Sequence, residues 1–323
     1  MGRSYPGRAL VKRVLLASPR GYCAGVERAV ETVKRALALY GAPVYVRKQI
    51  VHNSHVVREL EADGAVFVDA VRDVPEGSPI VFSAHGVSPA VRHAADARGL
   101  AAIDATCPLV TKVHAQARRY AERGYRVVLI GHAGHEEVEG TTGEAPEAIV
   151  LVESIEDAQR IELTEPRLAY ITQTTLSVDE TREIVDVLRR RFPHIEGPAR
   201  EDICYATSNR QWAVKELLGE VGLLLVVGSR NSSNSLRLVE VAHTAGVEAH
   251  LVDDASEIDE RWLAGVDVVG VTSGASAPER LVRGVCEWFR ARGVRDVSEY
   301  KSTFEDVVFR LPVELRRAER SAA

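Results

Sequence analysis

Three of the four cysteines stand where a thiol could do chemistry. Cys23, Cys107 and Cys204 each come directly before a stretch with helical periodicity. A thiol at the start of a helix lies near the positive end of the helix dipole, which favours the thiolate that binds metals. Cys286 differs, because "GVCEWFRARG" places it in the middle of a predicted helix, and we expect it in the core. The pattern predicts a metal centre held by three thiolates.

Two kinds of metal centre suit such ligands. The paired C-x₂-C spacing of most structural zinc sites is missing from the sequence. An iron–sulfur cluster is usually held by four thiolates, so three would leave one iron without a protein ligand. Such an iron can act as a Lewis acid on a substrate oxygen. The residues alone leave open an iron–sulfur enzyme, a zinc-dependent hydrolase of a small phosphorylated substrate, and a phosphate-binding protein with incidental thiols.

Histidines follow three of the apolar runs in the sequence. Imidazoles can donate hydrogen bonds to an anionic ligand, and they titrate near neutral pH. The motifs are "QIVHNSH" with His52, "VFSAHGVS" with His85, and "VLIGHAGHEEVEG" with His132 and His135. Their repeated position predicts an anion site at the ends of strands.

Hydroxyl and amide side chains cluster at further points of the sequence. The clusters are "QTTLSVDE" (173–180), "GSRNSSNSLR" (228–237) and "TSGASAPER" (272–280). Amides at a helix N-terminus bind phosphate together with such hydroxyls. The glycine-rich motifs of nucleotide and dinucleotide sites are missing. We therefore predict a small phosphate or diphosphate as the anion.

One carboxylate near these histidines is a candidate for acid–base work. Glu137 lies two residues after His135 in "GHEEVEG", and a carboxylic acid in this setting can protonate a leaving hydroxyl. On spacing alone, Glu136 and Glu139 remain alternatives.

Alternating strands and helices must position these groups. Apolar runs such as "RVLLA", "PIVFSA", "YRVVLIG", "GLLLVVG" and "DVVGVTS" predict strands buried on both faces. Helical periodicity predicts helices over 26–41, 111–124 and 234–246, each ending at a glycine. This order is typical of parallel α/β sheets, which bind ligands at the carboxyl ends of their strands.

Composition excludes some classes of protein. The 323 residues are 46% hydrophobic and carry a formal net charge of −5, so we expect no nucleic-acid partner. No apolar run is long enough for a membrane span, and the N-terminal residues lack the apolar region of a secretory signal. We predict a cytoplasmic protein, where structural disulfides are disfavoured.

Nine motifs, in order, resemble those of the 4-hydroxy-3-methylbut-2-enyl diphosphate reductases, the LytB-like family. The resemblance extends from about residue 14 to about residue 304. The motifs are "GYCAGVERA", "VHN", "SAHGVS", "DATCPLVTKVH", "GHAGHEEVEG", "TQTTLSVDET", "DICYATSNRQ", "SSNS" and "SGASAPE".

The resemblance implies a fold and an activity. It implies three small α/β domains with mainly parallel sheets, in a pseudo-threefold trefoil around a [4Fe-4S] cluster with one iron lacking a protein ligand. It also implies reductive dehydroxylation of an allylic diphosphate to isopentenyl and dimethylallyl diphosphates, with electrons from ferredoxin or flavodoxin. We predict lobes at 24–107, at 108–203, and at 204–300 together with 11–23, with tails at 1–10 and 305–323.

The resemblance also implies roles for individual residues. Cys23, Cys107 and Cys204 would ligate the cluster. Glu137 would deliver protons, and Thr174 would lie beside the substrate hydroxyl. The diphosphate would be held by His52, His85, His135, Ser232, Ser233, Asn234 and Ser276.

Overall fold

The computed structural model contains three β-sheets, and every strand pairing in them is parallel. It describes residues 11–322, with side chains for residues 11–320. The strands are β1 (Arg13–Ser18), β2 (Val44–Arg47), β3 (Ala65–Val68), β4 (Pro79–Phe82), β5 (Ala101–Asp104), β6 (Arg126–Ile130), β7 (Ile149–Val152), β8 (Leu168–Thr172), β9 (Leu223–Val227), β10 (Glu248–Val252), β11 (Val268–Ser273) and β12 (Asp296–Lys301).

Eleven α-helices of the described residues alternate with these strands. They are α1 (Ala24–Tyr40), α2 (Ser54–Ala62), α3 (Pro89–Ala97), α4 (Pro108–Glu122), α5 (Glu136–Thr142), α6 (Ile155–Arg160), α7 (Val178–Arg191), α8 (Tyr205–Leu217), α9 (Ser233–Thr244), α10 (Glu279–Ala291) and α11 (Val313–Ala322). Within the described part of the chain, no helix combines the length and the apolar character needed to cross a membrane.

The first of two compact units contains residues 11–23, 52–54 and 205–306. Its sheet has the order β10-β9-β11-β1-β12. All five residues of β9 are buried, because side chains of alternating residues pack against helices on opposite faces. Helix α10 covers one face, and α8 and α9 cover the other.

The second unit contains residues 24–51, 55–204 and the C-terminal residues from 307. It has two sheets, with the orders β3-β2-β4-β5 and β7-β6-β8. Helices α4 and α5 pack on one face of the β7-β6-β8 sheet, and α6 and α7 pack on the other. The predicted fold class, α/β with parallel sheets in three parts, is confirmed, whereas the boundaries of the three lobes stay a prediction.

The predicted helices end as the sequence indicates. Helices α1, α4 and α9 are each followed within two residues by Gly41, Gly124 and Gly246, which have φ of +74°, +75° and +78°. Glycine adopts this left-handed conformation without the penalty that a Cβ carries, so it ends a helix readily.

The prediction of a tail over 305–323 is wrong for most of that segment. Residues 313–322 form α11, which packs against α1 and β5. Leu315 is fully buried. The many charged side chains of this segment suggested solvent exposure, but Leu315 lies on the buried side of the helix. The predicted tail at 1–10 lies outside the described residues.

Candidate functional site

The three candidate ligand cysteines each lie immediately before a helix. Cys23 precedes α1, Cys107 precedes α4 and Cys204 precedes α8. All three are half-buried thiols, and Pro108 takes the first position of α4, as the sequence predicts. Cys286 lies in the middle of α10 and is buried, so the expectation that it belongs to the core is confirmed.

A shared main-chain hydrogen bond fixes each of these cysteines at the mouth of a sheet. Each cysteine N–H donates to the carbonyl oxygen of the residue two positions beyond the end of a strand in the same unit. The bonds are Cys23 to Ala275 after β11 (3.2 Å), Cys107 to Ala84 after β4 (2.9 Å), and Cys204 to Thr174 after β8 (3.0 Å). Each sheet therefore presents one thiol at its carboxyl edge, where α/β proteins bind ligands.

Glu137 is the carboxylate that lies beside Thr174. It is 2% exposed, and its carboxylate accepts hydrogen bonds from the Thr174 backbone N–H (2.6 Å) and hydroxyl (3.1 Å). Burial outweighs these bonds and raises the pKa of Glu137 to about 7. At neutral pH, Glu137 can therefore hold a proton and give it up, as a general acid must.

Glu136 has a different partner from its neighbour. Its carboxylate lies 3.3 Å from His85 Nδ1, and the Ser83 hydroxyl donates to the same oxygen at 3.3 Å. Burial alone would raise the pKa of Glu136, but His85, Lys48 and Ser83 hold it below its ordinary value. Glu139 is exposed. Among the three glutamates that the sequence left open, Glu137 bonds to Thr174, while Glu136 contacts the loop of His85.

His135 connects the histidine motif to the start of α5. Its Nδ1 accepts a hydrogen bond from the Glu137 N–H (3.1 Å), so it caps the helix. Its ring meets the His85 ring edge to face, with 5.8 Å between centroids. Burial, and then the nearby His85, lowers the pKa of His135 to about 3. His135 is therefore a neutral imidazole whose Nε2–H is its donor.

The remaining polar candidates meet in the first unit. The Ser276 hydroxyl donates to the His52 carbonyl oxygen (2.8 Å) and lies 3.5 Å from the Ser232 hydroxyl. Ser232 caps α9, where Ser233 and Asn234 form the buried first turn. Hydroxyls and main-chain amides at this helix start form an environment that favours an anion.

Asn234 also supports the Cys23 loop. Its Oδ1 accepts a hydrogen bond from the Ala275 N–H (2.8 Å), and the Ala275 carbonyl accepts the Cys23 N–H. The main chain of Ala275 thus connects Asn234, a candidate diphosphate ligand, to Cys23, a candidate cluster ligand.

Arg210 is a residue that the sequence reasoning missed. It is fully buried on α8 and donates to the carbonyl oxygens of Gly21 (2.8 Å) and Ala206 (2.9 Å) and to the Glu305 carboxylate (3.1 Å). Gly21 lies two residues before Cys23, so Arg210 holds the loop of that cysteine. An arginine in a helix usually points to solvent, and only its place in the motif "SNRQ" could have indicated this role.

Parallel sheets with candidate thiols, imidazoles, hydroxyls and a buried carboxylic acid at their carboxyl edges define an α/β protein whose candidate residues lie where such sheets bind ligands. Residues 14–290 match the model of the family described as LytB protein. The chain belongs to the LytB family, and the predicted family membership is confirmed.

Close relatives carry a consistent name. The chain is 64% identical over 308 residues to 4-hydroxy-3-methylbut-2-enyl diphosphate reductase of Acidothermus cellulolyticus. The matched region covers 95% of this chain and 91% of the relative. The chain is 60% identical over 311 residues to the protein of that name from Nocardia farcinica, with 96% and 93% covered. These names give no support to a zinc-dependent hydrolase.

Solved structures share the fold. The E-1-hydroxy-2-methyl-but-2-enyl-4-diphosphate reductase of Plasmodium falciparum matches with a TM-score of 0.94 and 38% identity, over 97% of this chain and 99% of that one. A second structure, described as (E)-4-hydroxy-3-methyl-but-2-enyl diphosphate reductase, the terminal enzyme of the non-mevalonate pathway, matches with a TM-score of 0.63 and 31% identity, over 87% and 100%.

Proposed function

We propose that the protein is an iron–sulfur reductase that converts 4-hydroxy-3-methylbut-2-enyl diphosphate to isopentenyl and dimethylallyl diphosphates. The reaction takes up two electrons and two protons and releases the hydroxyl group as water. The names of the relatives supply the substrate. The observation that carries the chemistry is the buried Glu137–Thr174 pair, because the Thr174 carbonyl also binds the main chain of Cys204.

The donor set fits a [4Fe-4S] cluster as the cofactor. Cys23, Cys107 and Cys204 would hold it, with one iron left without a protein ligand. Thiolates are the usual ligands of such clusters, and the main-chain bond of each cysteine gives its loop a fixed conformation. When bound, the cluster supplies electrons and a Lewis-acidic position for the substrate oxygen.

Glu137 would protonate the departing hydroxyl. Its pKa of about 7 keeps much of the acid protonated at neutral pH, and its burial excludes competing water. The Thr174 hydroxyl donates to one Glu137 oxygen and orients the carboxyl group. We place Thr174 beside the substrate hydroxyl, where it can pass the proton that Glu137 provides.

Neutral donors would hold most of the diphosphate. His135 offers its Nε2–H, and the start of α9 offers hydroxyls and main-chain amides. The full set is His52, His85, His135, Ser232, Ser233, Asn234 and Ser276. Hydrogen bonds from groups that are already fixed in place stabilise an anion without reorganisation of the site.

Ferredoxin or flavodoxin is the proposed electron donor. This proposal comes from the family resemblance, and the cytoplasmic location stays a prediction from the sequence.

Anaerobic purification gives a direct test of the proposed function. We expect a brown protein with broad absorbance at about 400 nm from thiolate-bound iron. With a chemical reductant and the allylic diphosphate, it should form both five-carbon diphosphates. A colourless protein that retains stoichiometric zinc and hydrolyses the substrate would contradict the proposal.

A further inference from the structure

We propose that Arg28, Lys112 and Arg210 are positioning residues, each of which holds the main chain in front of a candidate ligand cysteine. The basic side chain on the helix that follows one cysteine holds the loop that precedes the next cysteine, and the last returns to the first. This inference rests on the proposed function, since it assigns these side chains a role in keeping the cysteine loops ready for the proposed cluster.

The three basic residues occupy equivalent points of the three cysteine motifs. Arg28 is the fifth residue of α1, Lys112 is the fifth residue of α4 and Arg210 is the sixth residue of α8. Each of these helices begins directly after one of the three cysteines. Lysine and arginine side chains are mostly exposed in proteins, whereas each of these three binds main-chain oxygens of a distant loop.

Arg28 holds the loop in front of Cys107. It donates to the carbonyl oxygens of Thr106 (3.1 Å) and Asp104 (3.3 Å), which lie one and three residues before that cysteine. The Thr106 carbonyl and the Cys107 N–H belong to one peptide group, and this N–H donates to the Ala84 carbonyl oxygen (2.9 Å). Because a peptide group is planar, bonds to both of its ends fix the orientation of the main chain at Cys107.

Lys112 holds the loop in front of Cys204. Its Nζ donates to the carbonyl oxygens of Glu201 (2.9 Å) and Arg200 (3.0 Å), which lie three and four residues before that cysteine. It also forms an ion pair with Asp202 Oδ1 (3.0 Å), a side chain with no exposed surface. The lysine therefore contacts three successive residues of the loop.

Arg210 completes the cycle in front of Cys23. It is fully buried and donates to the carbonyl oxygen of Gly21 (2.8 Å), two residues before that cysteine. The Gly21 N–H donates to the Ser273 hydroxyl (2.8 Å), so the main chain of Gly21 is held through both of its polar groups. The Glu305 carboxylate (3.1 Å) fixes the guanidinium in turn.

The cyclic order distinguishes this role from a general contribution to stability. Hydrogen bonds from charged donors are the stronger kind, so the loss of one basic side chain should loosen the loop that it holds. That loop precedes the next cysteine of the cycle and lies far along the chain from the substituted residue. A general loss of stability would affect all three loops instead.

Hydrogen exchange of the cluster-loaded enzyme tests the inference. It is measured without oxygen, by mass spectrometry of the peptides that contain each candidate ligand cysteine. Arg28→Met should speed exchange in the Cys107 peptide by about 10-fold or more, the range for loss of hydrogen bonds to a charged group. The peptides of the other two cysteines should change by less than about twofold.

The other two variants should show the same effect at the next cysteine of the cycle. Lys112→Met should speed exchange in the Cys204 peptide, and Arg210→Met should do so in the Cys23 peptide. All three variants should also lose iron to a chelator faster than the wild type, because a loosened loop holds its thiolate less firmly.

Arg35→Met on α1 and Arg119→Met on α4 are matched controls, since they remove exposed basic side chains from two of the same helices. They should leave exchange in all three cysteine peptides unchanged. Equal acceleration in the three peptides of each Met variant, or no difference from the controls, would overturn the inference and leave the proposed function standing.

A second variant is available if Arg210→Met does not fold. Arg210→Lys keeps a basic side chain beside Glu305 but lacks the planar fork that also reaches Gly21. It should speed exchange in the Cys23 peptide by about threefold, and an unchanged rate would overturn the inference. A wild-type protein that shows the expected exchange pattern but takes up no iron–sulfur cluster would contradict the proposed function alone.

Discussion

Adjacent carboxyl groups in one helical turn can have very different pKa values. The Glu137 carboxylate is enclosed by protein, and burial outweighs its hydrogen bonds from Thr174 and raises its pKa to about 7. Glu136 is also largely buried, but the nearby cations and hydrogen-bond donors hold its pKa down. In enzymes, surroundings that move the pKa values of two carboxyl groups apart also give the two groups different acid–base roles.

Glu137→Gln should lower kcat by about 100-fold or more, because an amide cannot supply the proton to the leaving hydroxyl. The glutamine oxygen can still accept the Thr174 N–H bond, and the amide NH₂ can donate to the Thr174 hydroxyl once that hydroxyl rotates, so the cluster and the substrate affinity should be retained. Steady-state kinetics and iron analysis measure the two properties. Turnover close to that of the wild type would remove Glu137 from proton delivery.

The pH dependence of turnover should follow the same carboxyl group. Because its folded-state pKa is raised to about 7, Glu137 is protonated below that pH and loses its proton above it. The kcat should therefore fall as pH rises from about 6 to about 9. In Glu137→Gln this alkaline limb should be absent. An unchanged limb in the variant would assign it to another group.

The four cysteines should separate into two classes when each is replaced by serine. Cys23→Ser, Cys107→Ser and Cys204→Ser should lose iron, because a serine hydroxyl is a poor ligand for iron–sulfur clusters. Cys286→Ser should retain iron, because that thiol is in the core of α10. Iron per chain after anaerobic reconstitution measures the difference. Equal retention in all four variants would refute the three-ligand set.

At the scale of elements, the loop that contains His85 passes close to a buried histidine of α4. His114 on α4 is 2% exposed, and its Nδ1 lies 2.8 Å from the buried Glu144 carboxylate. Gly86 follows His85 and has φ of +85°. A Cβ at Gly86 would lie 2.9 Å from the His114 ring. Both the backbone conformation and the space therefore require glycine.

Gly86→Ala should destabilise the protein by about 1–3 kcal/mol, from backbone strain together with the contact to His114. Gly140→Ala is a matched control, because its Cβ would meet the same ring at 3.3 Å without a positive φ, and its cost should be smaller. Thermal unfolding compares the two variants. A larger loss in Gly140→Ala would contradict this account.

Much of the element structure could be predicted from the sequence, because local patterns determine it. The fully apolar run of β9 and the glycines that follow α1 and α4 are local signals, and they match the structure. The partners of Glu136 and Glu137 could not be predicted. His85 and Thr174 lie 51 and 37 residues away from them, and helical periodicity contains no information on which loop each glutamate faces. Arg210 was missed for the same reason.

At the scale of the whole molecule, the C-terminal segment belongs to the packed structure. Arg28 on α1 donates to the carbonyl oxygens of Arg310 (2.7 Å) and Thr106 (3.1 Å). Thr106 precedes Cys107, so this arginine connects the C-terminal segment to a cysteine loop. The buried Leu315 holds α11 in place beside it. Charge composition alone suggested a solvated tail, and the buried Leu315 side chain accounts for the difference.

Leu315→Ala should therefore destabilise the second unit by about 2–4 kcal/mol, as expected for a leucine truncated in a packed core. The midpoint of thermal unfolding should fall by about 5–10 °C. Val313→Ala, which shortens a side chain that is 41% exposed on the same helix, is the control and should change little. Similar midpoints for both variants would show that α11 contributes no core packing.

The main-chain bond of each candidate ligand cysteine has a consequence for maturation if the protein holds the proposed cluster. The bonds from Cys23, Cys107 and Cys204 join polypeptide to polypeptide, so they need no iron to form. A zinc finger, by contrast, is unfolded until its metal arrives. Here the apoprotein should keep its fold when air removes the iron, with its thiol loops still shaped to receive a replacement. The obstacle to repair is then oxidation of the half-buried sulfur atoms, which a thiol reductant reverses at the sulfenic acid or disulfide stage.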